Sequence, residues 1–278
     1  MIATLCRLSA DRSLSATPVN DEGPQGRVLG EWVGTVPEAG GQVLYFVHGG
    51  GYVVGSEATH RGLVTALADR IDRPAFSVRY RLGPEHRFPA ASVDVLNGYL
   101  WLVARGHRPE DIVVAGDSAG GHLVLGLCGE LRKLGLPQPK GGVLMSPLVD
   151  PSYTLSAALE RTVSDPFATA RAGRRITALY TRGADVTDPR FDVLRIVGPD
   201  LAPLLIQVGE HEILKADADA FVKAQRAAGG QVELQVWPEQ FHVFQMSHRQ
   251  QPAARAALDE IALFVEGLDA VHGLSSTA

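Results

Sequence analysis

One serine in this chain stands in a setting that could make it a nucleophile. The stretch VVAGDSAGGHL (113–123) reads as a buried strand, then the turn Gly116-Asp117-Ser118-Ala119-Gly120, then the first turn of a helix. This G-x-S-x-G pattern between strand and helix sharpens the turn until the Ser118 hydroxyl stands clear of a sheet. Gly116 and Gly120 remove the side chains that would collide there. The helix N-terminus beneath favours developing negative charge. A Gly-rich turn whose serine only caps a helix is the plainer reading, and the flanking strand and helix favour the nucleophile over it. A second stretch, YFVHGGGYVVGS (45–56), leads a buried strand into His48, Gly49, Gly50 and Gly51. Glycines let backbone N–H groups turn inward, so those of Gly50, Gly51 and Ala119 can converge on one oxyanion. Neither the Lys-Ser/Thr of a phosphate loop nor a G-x-G-x-x-G helix start follows. His48 is read as a hydrogen-bonding residue that holds this loop. In a third stretch, LLIQVGEHEILKAD (204–217), an apolar run ends at Gly209 and Glu210, His211, Glu212 and Asp217 follow. One of these carboxylates could orient an imidazole, or all could be solvated or belong to the next helix.

The elements that must position these residues are legible from periodicity. VLYFV (43–47), PAFSV (74–78), DIVVAG (111–116), GGVLMS (141–146) and LLIQV (204–208) are apolar on both faces, as central strands of a covered parallel sheet are. Helical spacing recurs between them at 61–71, 92–106, 121–135 and 217–230, the last stopped by Gly229-Gly230, and again at 254–268. QVELQVWPE (231–239) alternates strictly and predicts a half-exposed strand near a sheet edge. The class is therefore α/β with a mostly parallel, doubly wound sheet and helices on both faces. Two segments break the alternation. Residues 1–30, with Pro18, Gly23, Pro24 and Gly26, read as an N-terminal arm or partial cap. Residues 151–195 are too long for an ordinary loop and read as a small lid inserted into a core of 31–150 and 196–270, with a longer crossover helix as the plainer alternative. Residues 271–278 read as a flexible tail.

Composition excludes several function classes. A formal charge of −5 offers no basic footprint for nucleic acid. Two cysteines, Cys6 and Cys128, are too few for a disulfide scaffold or a multi-cysteine metal site and read as reduced structural thiols. The N-terminus, broken by Arg7, Asp11 and Arg12, makes a poor signal peptide, and no run of about 18 apolar residues exists. The expectation is a cytoplasmic protein without a transmembrane segment.

Taken together, His48-Gly49-Gly50-Gly51, Gly116-Asp117-Ser118-Ala119-Gly120-Gly121, RYRLGPEHRFPAA (79–91), SPLVD (146–150) and FHVF (241–244) resemble the hormone-sensitive-lipase-like family of α/β-hydrolases, in its bacterial carboxylesterase branch. The resemblance runs from about residue 30 to about 265. It implies the α/β-hydrolase fold and hydrolysis of small-molecule carboxylic esters, usually with short acyl chains, without metal or organic cofactor; it also allows a homodimer. The triad order Ser, acid, His puts the base at His242, after the last strand. His60 and His86 lie upstream of the nucleophile and could line a pocket, His122 begins the elbow helix, His211 neighbours the acid and His248 is read as surface. The family's Gly-x-x-Asp/Glu-x-Leu points to Glu212 as the acid, with Glu210 solvated and Asp217 and Asp219 explained by the start of a helix. Gly83 replaces the family's usual Ala, Val243 stands where many members have Gly, and the N-terminal region is shorter than the cap many members carry. Two other functions fit the same scaffold: an amidase or formamidase using the same residues, and a non-catalytic ligand-binding homologue, against which His242 and the intact elbow argue.

Overall fold

The computed structural model describes residues 14–275. Eight strands form one sheet in the order β1-β2-β4-β3-β5-β6-β7-β8. They are β1 (Thr17–Gly23), β2 (Gly26–Val33), β3 (Val43–Val47), β4 (Ala75–Val78), β5 (Ile112–Asp117), β6 (Gly141–Met145), β7 (Leu204–Gly209) and β8 (Val232–Trp237). From β4 through β8 every neighbouring pair is parallel, whereas β2 joins β4 and β1 joins β2 antiparallel. The helices are α1 (Glu57–Ile71), α2 (Ala90–Ala104), α3 (Ala119–Lys133), α4 (Thr154–Leu159), α5 (Ala170–Thr181), α6 (Lys215–Ala227) and α7 (Pro252–Ser275).

All residues of β3, β4, β5, β6 and β7 are buried, which is why these strands read as continuous apolar runs. Alternate side chains feed two cores. Tyr45, Phe76, Val114 and Ile206 pack with α2, α3 and α6 on one face, and Phe46, Val113, Val143 and Leu205 with α1 and α7 on the other. The edge strand β8 is only partly covered, as its alternation predicts. Among the described residues no helix is long and apolar enough to cross a membrane. Cys128 is buried, which pushes its thiol up to about 12; Cys6 lies outside the described residues.

Part of the stretch read as an N-terminal arm or partial cap is paired strand from residue 17 onward. Gly23-Pro24-Gln25-Gly26 is the turn of a hairpin, with Gly26 at φ 116°. The inner strand β2 buries Trp32 against Phe76 and Trp101, at centroid separations of 5.4 and 6.2 Å. Strand β1 lies outermost and is mostly exposed, so no apolar pattern marks it. α7 continues to Ser275, into the segment read as a tail, and residues 276–278 lie outside the described part. Within α7, Asp269 pairs with the buried cations Arg73 and Lys140.

Between β6 and β7 the long connection carries α4, α5 and a short 3-10 turn (Val193–Arg195). Its start is held by Asp217, for which the helix-start explanation is incomplete. Asp217 lies in the first turn of α6 but is wholly buried. Its carboxylate accepts the N–H groups of Val149 and Asp150, both at 2.8 Å, and the Ser156 hydroxyl at 2.9 Å. Asp219, by contrast, makes an exposed pair with Lys215. Removing Asp217 would leave three donors without their acceptor. We predict that Asp217→Ala destabilises the protein by about 3 kcal/mol or more, measured by denaturant unfolding; a loss below about 1 kcal/mol would show that water replaces the carboxylate.

Candidate active site

Strand β5 ends in Asp117, and Ser118 follows with φ 51° and ψ −119°, a conformation that L-residues rarely adopt. The surroundings enforce it. The Ser118 N–H donates to the Met145 carbonyl at 2.9 Å, and its own carbonyl accepts the Leu148 N–H at 3.0 Å. A Cβ on Gly116 would lie 2.7 Å from the Gly120 carbonyl, and one on Gly120 would lie 2.6 Å from the His48 oxygen. Both glycines are therefore steric necessities, as the sequence pattern predicts.

Two loops at the same end of the sheet bring His242 and Glu212 to Ser118. His242 Nε2 is 3.0 Å from Ser118 Oγ, and His242 Nδ1 is 2.7 Å from Glu212 Oε2. The other oxygen, Oε1, accepts the Gly209 N–H at 2.9 Å, so the wholly buried carboxylate is held at both ends. The loops are also tied to each other, through the His211 N–H and the Gln240 carbonyl at 2.8 Å. Burial of the His242 ring would lower its pKa, but the hydrogen bond and charge of Glu212 outweigh this and raise it.

The glycine loop runs beside the elbow. Gly50 and Gly51 both have positive φ, 116° and 61°, and the Gly50 carbonyl is turned away to accept the N–H groups of Val53 and Val54. Asp117 joins loop to elbow: its Oδ1 accepts the Gly49 N–H at 2.9 Å and its Oδ2 lies 3.4 Å from His60 Nε2. Gly49 has no alternative, since a Cβ there would press on that carboxylate. Burial alone would raise the Asp117 carboxyl and lower the His60 ring, yet their mutual attraction lowers the former and raises the latter. His48 stacks on Tyr80 at 4.2 Å, and the Tyr80 hydroxyl donates to the His48 carbonyl at 2.7 Å. Burial and the neighbouring His60 push His48 down to about 4, so it is a neutral spacer under the loop.

The remaining candidate side chains have other partners. His86 is exposed, and His248, read as surface, is half-buried after a 3-10 turn. His122 is buried and faces the Phe191 carbonyl at 3.0 Å; burial pushes it down to about 4. Glu210 is exposed and accepts the Glu239 N–H. With His211 and Glu239 it forms an exposed trio whose ligand atoms lie within 4.8 Å of one another. Sequence reasoning missed the partner of His60, which is buried beside Asp117, and the role of Ser146, whose Oγ accepts the Val243 N–H at 3.0 Å. The spacing GSEATH after the glycine loop carried the first signal, since a histidine on the face of α1 turned toward the sheet needs a buried partner.

Fold and site together define an α/β-hydrolase. A family model described as alpha/beta hydrolase fold matches residues 43–246. An acetyl-hydrolase of Streptomyces hygroscopicus is 34% identical over 267 residues, spanning 93% of this chain and 88% of the relative. An esterase of Acinetobacter venetianus is 34% identical over 229 residues, spanning 82% and 76%. The crystal structure of an esterase from the bacterial hormone-sensitive lipase family is similar with a TM-score of 0.85 and 34% identity, over 96% of this chain and 89% of that one. The chain belongs to the hormone-sensitive-lipase-like family of α/β-hydrolases.

The structure also explains why glycine is common after the family's histidine. Val243 sits at φ 50° and ψ 43°, a left-handed conformation that a β-branched residue adopts at a cost of about 1–2 kcal/mol. Alanine there would lose the packing and keep the strain; glycine would lose the packing and the strain together. We predict that Val243→Gly is more stable than Val243→Ala by about 1 kcal/mol, the reverse of the usual order. Thermal unfolding of the two variants decides it, and an alanine variant equal to or above glycine would contradict it.

Proposed function

We propose that this protein is a serine carboxylesterase that hydrolyses short-chain carboxylic esters through Ser118, His242 and Glu212 by way of an acyl-enzyme. The observation that carries this reading is the unbroken line from Ser118 Oγ through the imidazole to the buried Glu212 carboxylate, at 3.0 and 2.7 Å. The relatives named acetyl-hydrolase and esterase support it. Glu212 accepts Nδ1–H and so leaves the Nε2 lone pair facing the serine hydroxyl. As Ser118 Oγ attacks the ester carbonyl, its proton passes to Nε2, and the carbonyl electrons move onto an oxyanion that the N–H groups of Gly50, Gly51 and Ala119 stabilise. The imidazolium then gives its proton to the departing alkoxide. A water, deprotonated by the same nitrogen, cleaves the acyl-serine and restores the hydroxyl. The two carbonyl-facing glycines are kept in place by Asp117 and His60.

Residues 151–195 we read as a lid. Support comes from Tyr180 of α5, which stacks on Tyr52 at 4.8 Å, and from Ile176, whose Cγ2 would lie 2.8 Å from a Cβ on Gly51. Such close cover over the glycine loop leaves little length for an acyl chain. We also propose a cytoplasmic location, and a homodimer, which the family resemblance allows.

Two predictions test this function. Ser118→Ala loses about 10⁶-fold in kcat, and Glu212→Gln loses about 10³–10⁴-fold, while Glu210→Gln stays near wild type; all are read as p-nitrophenyl acetate hydrolysis by purified protein. Substantial turnover by Ser118→Ala, or a collapse of Glu210→Gln with Glu212→Gln intact, would refute the assignment. Across a p-nitrophenyl ester series, kcat/KM is expected to be highest for acyl chains of about two to eight carbons, and efficient hydrolysis of long-chain triglyceride emulsions would overturn the short-pocket reading.

A further inference from the structure

Residues 165–168, in the turn between α4 and α5, touch the supports of both Glu212 and His242. Asp165 is half-buried. Its Oδ1 accepts the N–H groups of Phe167 at 2.8 Å and Ala168 at 3.0 Å, which closes the turn. Its Oδ2 accepts the N–H of Ile213 at 3.1 Å, and Ile213 is the residue next after Glu212. The turn lays the Phe167 ring on Phe241 with a centroid separation of 4.6 Å, and Phe241 is the residue before His242. A single four-residue segment from the connection between β6 and β7 therefore grips the acid loop by its backbone and the base loop by a ring.

Neither grip has an evident substitute. Glu212 and Ile213 are both wholly buried, so the Ile213 amide has little access to water if its acceptor is removed. Asn or Ser could close the turn on Phe167 and Ala168, whereas the second carboxylate oxygen of Asp165 adds an acceptor for the Ile213 N–H.

We propose that Asp165 is a positioning residue for hydrolysis at Ser118: it fixes the Glu212 loop against the His242 loop through Ile213 and Phe241. This rests on the reading of Ser118, His242 and Glu212 given above. Burial of the His242 ring is the largest influence on it and works against the imidazolium; Glu212, Asp165 and Asp117 are the charges facing it, and all three favour it. The sign for catalysis follows. The base must be neutral, so the acidic limb of kcat/KM tracks the His242 pKa, and removing one favouring charge moves that limb to lower pH.

The test is the pH profile of Asp165→Asn beside that of wild type, with Phe167→Ala and Ser118→Ala in parallel, using p-nitrophenyl acetate from acid to mildly alkaline pH. Asparagine can still accept from Phe167 and Ala168 while turning an N–H₂ toward the Ile213 amide. It should therefore keep the turn and lose both the link and the charge. The expected result is a kcat lower by about 10- to 100-fold with KM changed less than about two-fold, and an acidic limb displaced to lower pH. Phe167→Ala should lower kcat without moving the limb. An Asp165→Asn enzyme within about two-fold of wild type and with an unmoved limb would overturn the inference. So would a loss that appears as a lowered thermal midpoint and raised KM with the limb in place, which is what a purely structural role gives. An active Ser118→Ala would instead overturn the reading of the whole site, and this inference with it.

Discussion

Between Gly120 and the carbonyl oxygens of Val47 and His48 there is room for hydrogen and nothing larger. That approach brings the end of β3 against the first turn of α3, and the rest of the site is arranged around it. The glycine loop leaves β3 at this point, and α3 begins at Ala119, directly after Ser118. Asp117 fastens the crossing with one oxygen on the Gly49 amide and the other toward His60, so the loop cannot swing away without unpairing a buried carboxylate. Such a crossing tolerates little variation, and the sequence shows this as Gly49 just past β3 and Gly116, Gly120 and Gly121 around Ser118.

Strain is concentrated at the same edge of the sheet. Ser118, Ser146 and Val243 all have φ near +50°, and each lies just past a strand or in a loop that faces Ser118. Neighbouring strands and loops hold them: Ser118 donates its N–H to Met145, Ser146 donates its N–H to Gln207, and the Ser146 hydroxyl receives the Val243 amide. Each left-handed residue costs on the order of 1–2 kcal/mol, so the three together cost several kcal/mol that burial of the strands behind them must offset. The gain is rigidity where a hydroxyl and an imidazole have to meet within a few tenths of an ångström.

What sequence revealed and what it hid divide along physical lines. Five central strands were readable because both their faces are buried, and the elbow and glycine loop were readable because steric exclusion leaves a mark in residue type. His242 and Glu212 came from chain order and family pattern, and the structure brings both to Ser118. Strand β1 was not readable: an outermost strand has no apolar face to display, and its prolines and glycines look the same in a hairpin as in a loose arm. The ion pairs of Asp269 in α7 were hidden for another reason, since its partners Arg73 and Lys140 are far away in the chain. The same holds for His60, Ser146 and Asp165. Their identities are ordinary in sequence, and each acquires meaning only from a partner at long range.

Glutamate at position 212 does more than replace an aspartate with a longer arm. Gly209, three residues earlier, donates its N–H to Oε1, so the side chain folds back over its own turn while Oε2 is left for the imidazole. Gly209 is also where the acid loop meets the base loop backbone to backbone, for a Cβ on it would lie 2.8 Å from the Phe241 nitrogen. The carboxylate thus spans the junction it depends on, one oxygen on the strand end and the other on the histidine carried by the neighbouring loop. An aspartate, shorter by one C–C bond of about 1.5 Å, would have to give up the Gly209 amide or draw the loop inward to reach the ring. The choice of acid and the closeness of the two loops are therefore one constraint, and the glycine at the end of β7 is where that constraint enters the sequence.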